Sequence, residues 1–201
     1  MIEKQLDYFT IDDAFGGSQA WFRNIVMNIG GCAAATACDS CIYFGRTFDR
    51  PNLYPYDLWN LTKEDYIRFS QKMKPYIRPR VRGVHKLEWY MEGMNQYLED
   101  VNEKIEMEGF SGDHTYEEAE ALVRQQIDRG CPIPYLLLYH QDKETFKDFI
   151  WHWFLTVGYR EQSGRLFITV ATYGQAVEFP LKELWDTGHE EKGGLIYYKN
   201  L

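Results

Sequence analysis

A chain of 201 residues with 30 acidic and 22 basic side chains, net charge −8, repels a nucleic-acid backbone on average, and its 45% hydrophobic content excludes disorder over any long stretch. There is no run of eighteen apolar residues to cross a bilayer, and Met1-Ile2-Glu3-Lys4-Gln5-Leu6-Asp7 lacks the basic flank and apolar core of an export signal. The expectation is a cytoplasmic protein with no membrane or nucleic-acid partner, folded as one domain over 1–201 without help from disulfides, metals or a cofactor.

In chain order, Leu6 to Phe22 mixes aromatics with Asp12-Asp13 and Gly16-Gly17, an ordered loop with a short helical turn at Gln19 to Val26. Gly30-Gly31 then opens a helix predicted from Cys32 to Phe44, rich in alanine and stopping near Gly45. A proline-containing loop, 46–61, leads to a helix that Thr62 and Asp65 cap and that runs to Met73. The connector 75–83 carries Arg78, Arg80 and Arg82, which with Lys74 and Lys86 make a basic patch that reads as a solvated loop. Apolar residues from Leu87 to Val101 recur at three and four, an amphipathic helix. After a polar link at 106–112, Thr115 and Glu118 form a capping box for a helix closing at Gly130.

Beyond Cys131 the pattern changes to apolar runs at Pro134–His140, Phe149–Tyr159 and Arg165–Tyr173, then one helical turn at Leu181–Trp185 and a closing strand at Leu195–Tyr198. Helices over about 1–130 and an antiparallel sheet over about 131–201 predict an α+β fold.

Chemistry centres on Cys32. A thiol in the first turn of a helix faces unpaired amide hydrogens and the positive end of the peptide dipoles, which favour the thiolate. The competing reading makes all four cysteines, 32, 38, 41 and 131, small core residues with free thiols. Cys38-x-x-Cys41 lies too far into the helix for a redox pair, and no further Cys or His follows at the spacing of a closed zinc site. On the strand after Trp151, His152 faces the side opposite Trp153 and can meet Cys32 across the two halves; it reads either as general base or as a hydrogen-bonded core histidine.

Gly30-Gly31-Cys32-Ala33-Ala34-Ala35-Thr36-Ala37-Cys38, followed much later by His152-Trp153-Phe154-Leu155-Thr156-Val157-Gly158-Tyr159, resembles the papain-like superfamily, and within it the bacterial double-glycine peptidases that process bacteriocins. The resemblance implies a papain-like fold, Cys32 as nucleophile, His152 as base and a peptide or small amide as substrate. The chain departs from the family in three places. No Asp or Asn follows the next strand to orient the imidazole, so Thr172, Gln175 or a backbone carbonyl takes that part. Val26 stands where an oxyanion-stabilising Gln is usual, leaving Gln19 or Asn28, and no glycine follows the nucleophile. A cysteine hydrolase and a catalytically silent papain-like module that binds peptides both fit this pattern, and the sequence does not address the oligomeric state.

Overall fold

The structure, a computed structural model, describes residues 2–200. Strand β1 (Ile2–Gln5) is followed by a small hairpin, β2 (Thr10–Ile11) and β3 (Ala14–Phe15), and by a 3₁₀ turn at Gln19–Trp21. Helices α1 (Ile25–Gly30), α2 (Cys32–Thr47), α3 (Lys63–Met73) and α4 (Leu87–Asp100) come next. Then follow β4 (Met107–Ser111), α5 (Tyr116–Asp128), β5 (Ile133–Leu137), β6 (His152–Gln162), β7 (Arg165–Thr172), β8 (Gln175–Pro180), α6 (Leu181–Trp185) and β9 (Gly193–Tyr198). The fold is α+β, with a helix-rich N-terminal region and a sheet-rich C-terminal one.

Local chemistry explains the helix starts. Asn24 caps α1 by accepting from the Met27 amide, Thr62 caps α3 through the Asp65 amide, and Thr115 and Glu118 complete a capping box on α5. Helix α2 has no side-chain cap, and only Ala35, Arg46 and Thr47 of its sixteen residues escape burial. A helix buried on nearly all sides belongs at the centre of a core, and its small residues let α3 and β6 approach closely. It runs past Gly45, which serves close packing rather than a stop: a Cβ there would lie 3.0 Å from a Leu58 methyl.

The seven-stranded sheet has the order β4-β9-β5-β6-β7-β8, and every pair is antiparallel. Strand β6 is its longest member. Its first half, His152–Thr156, pairs with β5, and its second half, Gly158–Glu161, pairs with β1. Two strands thus come from the helix-rich region: Ile2–Gln5, and Met107–Ser111 where a polar link was expected. Neither shows a buried apolar alternation, because both lie at sheet edges with partly or fully exposed side chains. Strand β8 is a third addition, joined to β7 by a two-residue hairpin in which Tyr173 (φ 52°) and Gly174 (φ 74°) are both left-handed. Strand β6 begins at His152 rather than Phe149, since Trp151 adopts φ 56° and breaks the extended run.

Candidate functional site

Gly31 separates α1 from α2 with no room for a side chain, a Cβ there falling 2.2 Å from the Met27 carbonyl oxygen. This tight joint places Cys32 as the first residue of an uncapped helix. Its thiol is 8% exposed, and the neighbouring backbone amides of Trp153, Ala33 and Cys32 itself favour its charged form. Burial nevertheless outweighs these donors, and the thiol pKa is pushed above its ordinary value. The expectation of a thiolate at the helix start is therefore corrected: Cys32 rests as a thiol.

Trp153, whose amide lies beside that thiol, follows His152 on β6. Trp153 is itself fixed by its indole N–H, which donates to the Val84 carbonyl at 2.6 Å, and by stacking on Tyr90. His152 is 5% exposed, and burial lowers its pKa to about 4, so its ring is neutral near pH 7. Its Nε2 lies 2.7 Å from Thr172 Oγ1, diagonally across the β6–β7 pair. Its Nδ1 has only a 3.4 Å contact with the Tyr173 hydroxyl. Nδ1 is thus the nitrogen left for proton transfer.

Gln19 lines the same cleft and void as Cys32 and His152, but its side-chain amide, like that of Asn28, is bonded elsewhere. Gln19 Nε2 donates to the carbonyls of Asn28 (3.1 Å) and Ile29 (3.4 Å), while its buried Oε1 has no partner among the described residues. Asn28 Nδ2 donates to the carbonyls of Ala20 (3.1 Å) and Phe22 (3.3 Å). Both amides therefore brace the 19–22 turn against α1, and their donors are engaged in this conformation. Gln175 is exposed, pairs in register with Thr172 and makes no hydrogen bond to His152. Helix α2 has no side-chain cap, so its first-turn amides are open to an acceptor from outside the helix.

Sequence reasoning did not assign a role to Asp39, two turns along α2. Its carboxylate accepts from Tyr8 Oη (2.6 Å), Tyr66 Oη (2.8 Å) and the Gly17 amide (3.2 Å), joining the N-terminal segment and α3 to α2. Burial still raises its pKa to about 6. Gly17 in turn accepts from the Gly174 amide, and Phe15 donates to the Gly174 carbonyl, so the same segment pins the hairpin that carries Tyr173. The signal available in the sequence was Asp39 sharing a helix face with Cys32 and Thr36. A void of about 20 Å³ touches Cys32, Thr36, Asp39, His152 and Thr172 together.

Cys32 and His152 also line one open cleft of about 790 Å³, between α1, the 79–84 loop and the turn before β6. That volume suits a peptide segment or a small organic ligand. Cys38, Cys41 and Cys131 lie outside it, buried and unbridged, with thiol pKa values raised by burial. Among the described residues no three His, Cys, Asp or Glu side chains group as a metal site, and no helix is long and apolar enough to cross a membrane. No family model, curated protein or solved structure matches this chain.

Proposed function

We propose that the protein is a cysteine hydrolase of peptide or amide bonds, with a papain-like arrangement of nucleophile helix and histidine strand. What supports this reading is that a helix-start thiol lines the same cleft as an imidazole whose Nε2 is anchored on Thr172 and whose Nδ1 has a long, 3.4 Å contact with the Tyr173 hydroxyl. With the thiol pKa raised and the imidazole pKa lowered, the resting pair is neutral. Proton transfer then accompanies attack: Nδ1 takes the Sγ proton as sulfur bonds to the carbonyl carbon, and the oxyanion meets the Cys32 amide. The imidazolium gives that proton to the departing amine, and a water deprotonated by the same ring releases the acyl group.

Thr172 brings no negative charge to the imidazolium, unlike a carboxylate, so turnover is slow. The alternative, a peptide-binding module without catalysis, is favoured by one observation, that the side-chain amides of Gln19 and Asn28 are engaged elsewhere. Iodoacetamide labelling followed by mass spectrometry separates the two readings, with Cys32→Ala and His152→Ala variants alongside. A hydrolase gives one fast-labelling cysteine at 32, a rate that falls in His152→Ala, and a peptide-cleaving activity absent from Cys32→Ala. Slow, uniform labelling of all four thiols, with a pH profile unchanged in His152→Ala, would reject it.

A further inference from the structure

The cleft above Cys32 carries charge of one sign. Among the described residues no carboxylate lines it, and its only ionised side chains are Arg80 and Arg82, in a chain whose acidic residues outnumber the basic ones by 30 to 22. Among the described residues neither arginine has a salt-bridge partner, a state they share with Arg46, Arg78 and Arg129 but, unlike those three, within this cleft.

These two arginines sit on an anchored turn. The Gly83 amide donates to the Arg80 carbonyl at 2.8 Å, and Gly83 takes the left-handed conformation with φ 68°. Pro79 is buried against Gly30 at the end of α1, the Arg80 guanidinium lies 3.8 Å from the Trp89 ring centroid, and the Val84 carbonyl is held by the Trp153 indole. A guanidinium stacked on one face keeps its N–H edge free for a carboxylate. The same cleft has an aliphatic part: Ile25, Val26 and Ile29 of α1 line it and are exposed, as is Val81 at the tip of the turn.

We propose that this cleft selects an extended acidic peptide, one that sets a glutamate or aspartate carboxylate on Arg80 and Arg82 and apolar side chains on Ile25, Ile29 and Val81. The inference rests on reading Cys32 as the nucleophile of that cleft, and it names the substrate class. Charge complementarity selects the carboxylate. The aliphatic wall selects a peptide over a nucleic-acid strand, whose sugars and phosphates leave that wall uncovered.

The probes are end-blocked hexapeptides alternating leucine with glutamate, glutamine or lysine, titrated calorimetrically into the Cys32→Ala protein and incubated with the unaltered protein. Cys32→Ala should bind the glutamate peptide about tenfold or more tightly than the glutamine peptide, and this ratio should shrink as salt is raised. The double variant Arg80→Glu and Arg82→Glu should reverse the order in favour of the lysine peptide, an outcome that a misfolded variant does not produce. Equal affinity for the three peptides, no binding of the glutamate peptide, or no reversal would overturn the inference. So would an oligonucleotide bound in place of the peptide, or a second copy of the chain closing the cleft in sedimentation. Acid-selective binding without cleavage removes the hydrolase reading and keeps this one; cleavage without charge preference does the opposite.

Discussion

The imidazole of His152 lies parallel to the phenol ring of Tyr173, 4.6 Å between centroids and 5° apart in plane. Tyr173 is held there by a left-handed hairpin that the N-terminal segment pins at Gly174. One face of the imidazole is thereby closed to water, which helps to lower its pKa to about 4.

Tyr173→Ala should therefore raise the His152 pKa toward its ordinary value near 6.5, while Tyr173→Phe, which keeps the stack and loses only the hydroxyl, should leave it depressed. NMR titration of the His152 ring protons reads both. A phenylalanine variant that moves as far as the alanine variant would assign the effect to the hydroxyl instead.

Thr172→Val removes the partner of a buried ring nitrogen and should cost about 1–3 kcal/mol in urea unfolding, with Thr172→Ser close to the original. Thr172→Asp adds the missing charge and should raise the His152 pKa, moving the onset of Cys32 alkylation to lower pH. An onset that does not move would separate the imidazole from the thiol.

Two buried groups should pull stability in opposite directions with pH. The unfolded His152 takes up a proton near 6.5 and the folded one only near 4. Its contribution is therefore complete above pH 6.5 and declines as pH falls to 4, by about 3 kcal/mol. Asp39 ionises near 3.8 unfolded and near 6 folded, so its contribution is complete below 3.8 and lost as pH rises through 6, by a similar amount of about 3 kcal/mol. Over pH 4–6 the two slopes offset. Urea unfolding of Asp39→Asn should show stability climbing steeply with pH over that range, and His152→Gln the reverse. Profiles parallel to that of the unaltered protein would contradict both assignments.

Gly31→Ala forces a methyl group to within 2.2 Å of the Met27 carbonyl oxygen and should cost about 1–3 kcal/mol by displacing one helix from the other. Far-UV circular dichroism during heating reads the loss. Slower Cys32 labelling under native conditions should accompany it, because the helix start shifts away from the Trp153 amide. Unchanged melting would mean that the joint relaxes at no cost.

The helices from α2 onward were legible because their signals are local, whereas α1 (Ile25–Gly30) stands where only a short turn at Gln19 to Val26 was expected. Thr62 with Asp65 and Thr115 with Glu118 announce their own starts, and both caps form. The central strands were legible from apolar runs, since His152–Tyr159 is buried throughout. Strands β1, β4 and β8 were not, because an edge strand is defined by hydrogen bonds to a distant partner and carries little apolar pattern of its own. The same distinction runs through the site. Cys32, His152 and Thr172 were marked by position on their elements. Asp39 was not, because its role comes from Tyr8, Gly17 and Tyr66, contacts that no spacing encodes. The thiolate expectation failed for a related reason: a helix start is visible in sequence, whereas the depth of burial that opposes ionisation is not.

The pairing of Ile2–Gln5 with Gly158–Glu161 has a consequence in time. A ribosome adds about 5–20 residues per second, so the roughly 150 residues between these partners take about 8–30 s to make. Throughout that interval the first strand has no neighbour to pair with, and α2 is present without the strand that supplies the Trp153 amide and His152. The nascent chain thus carries its thiol before it carries the imidazole, and the site comes together only once synthesis has passed β6.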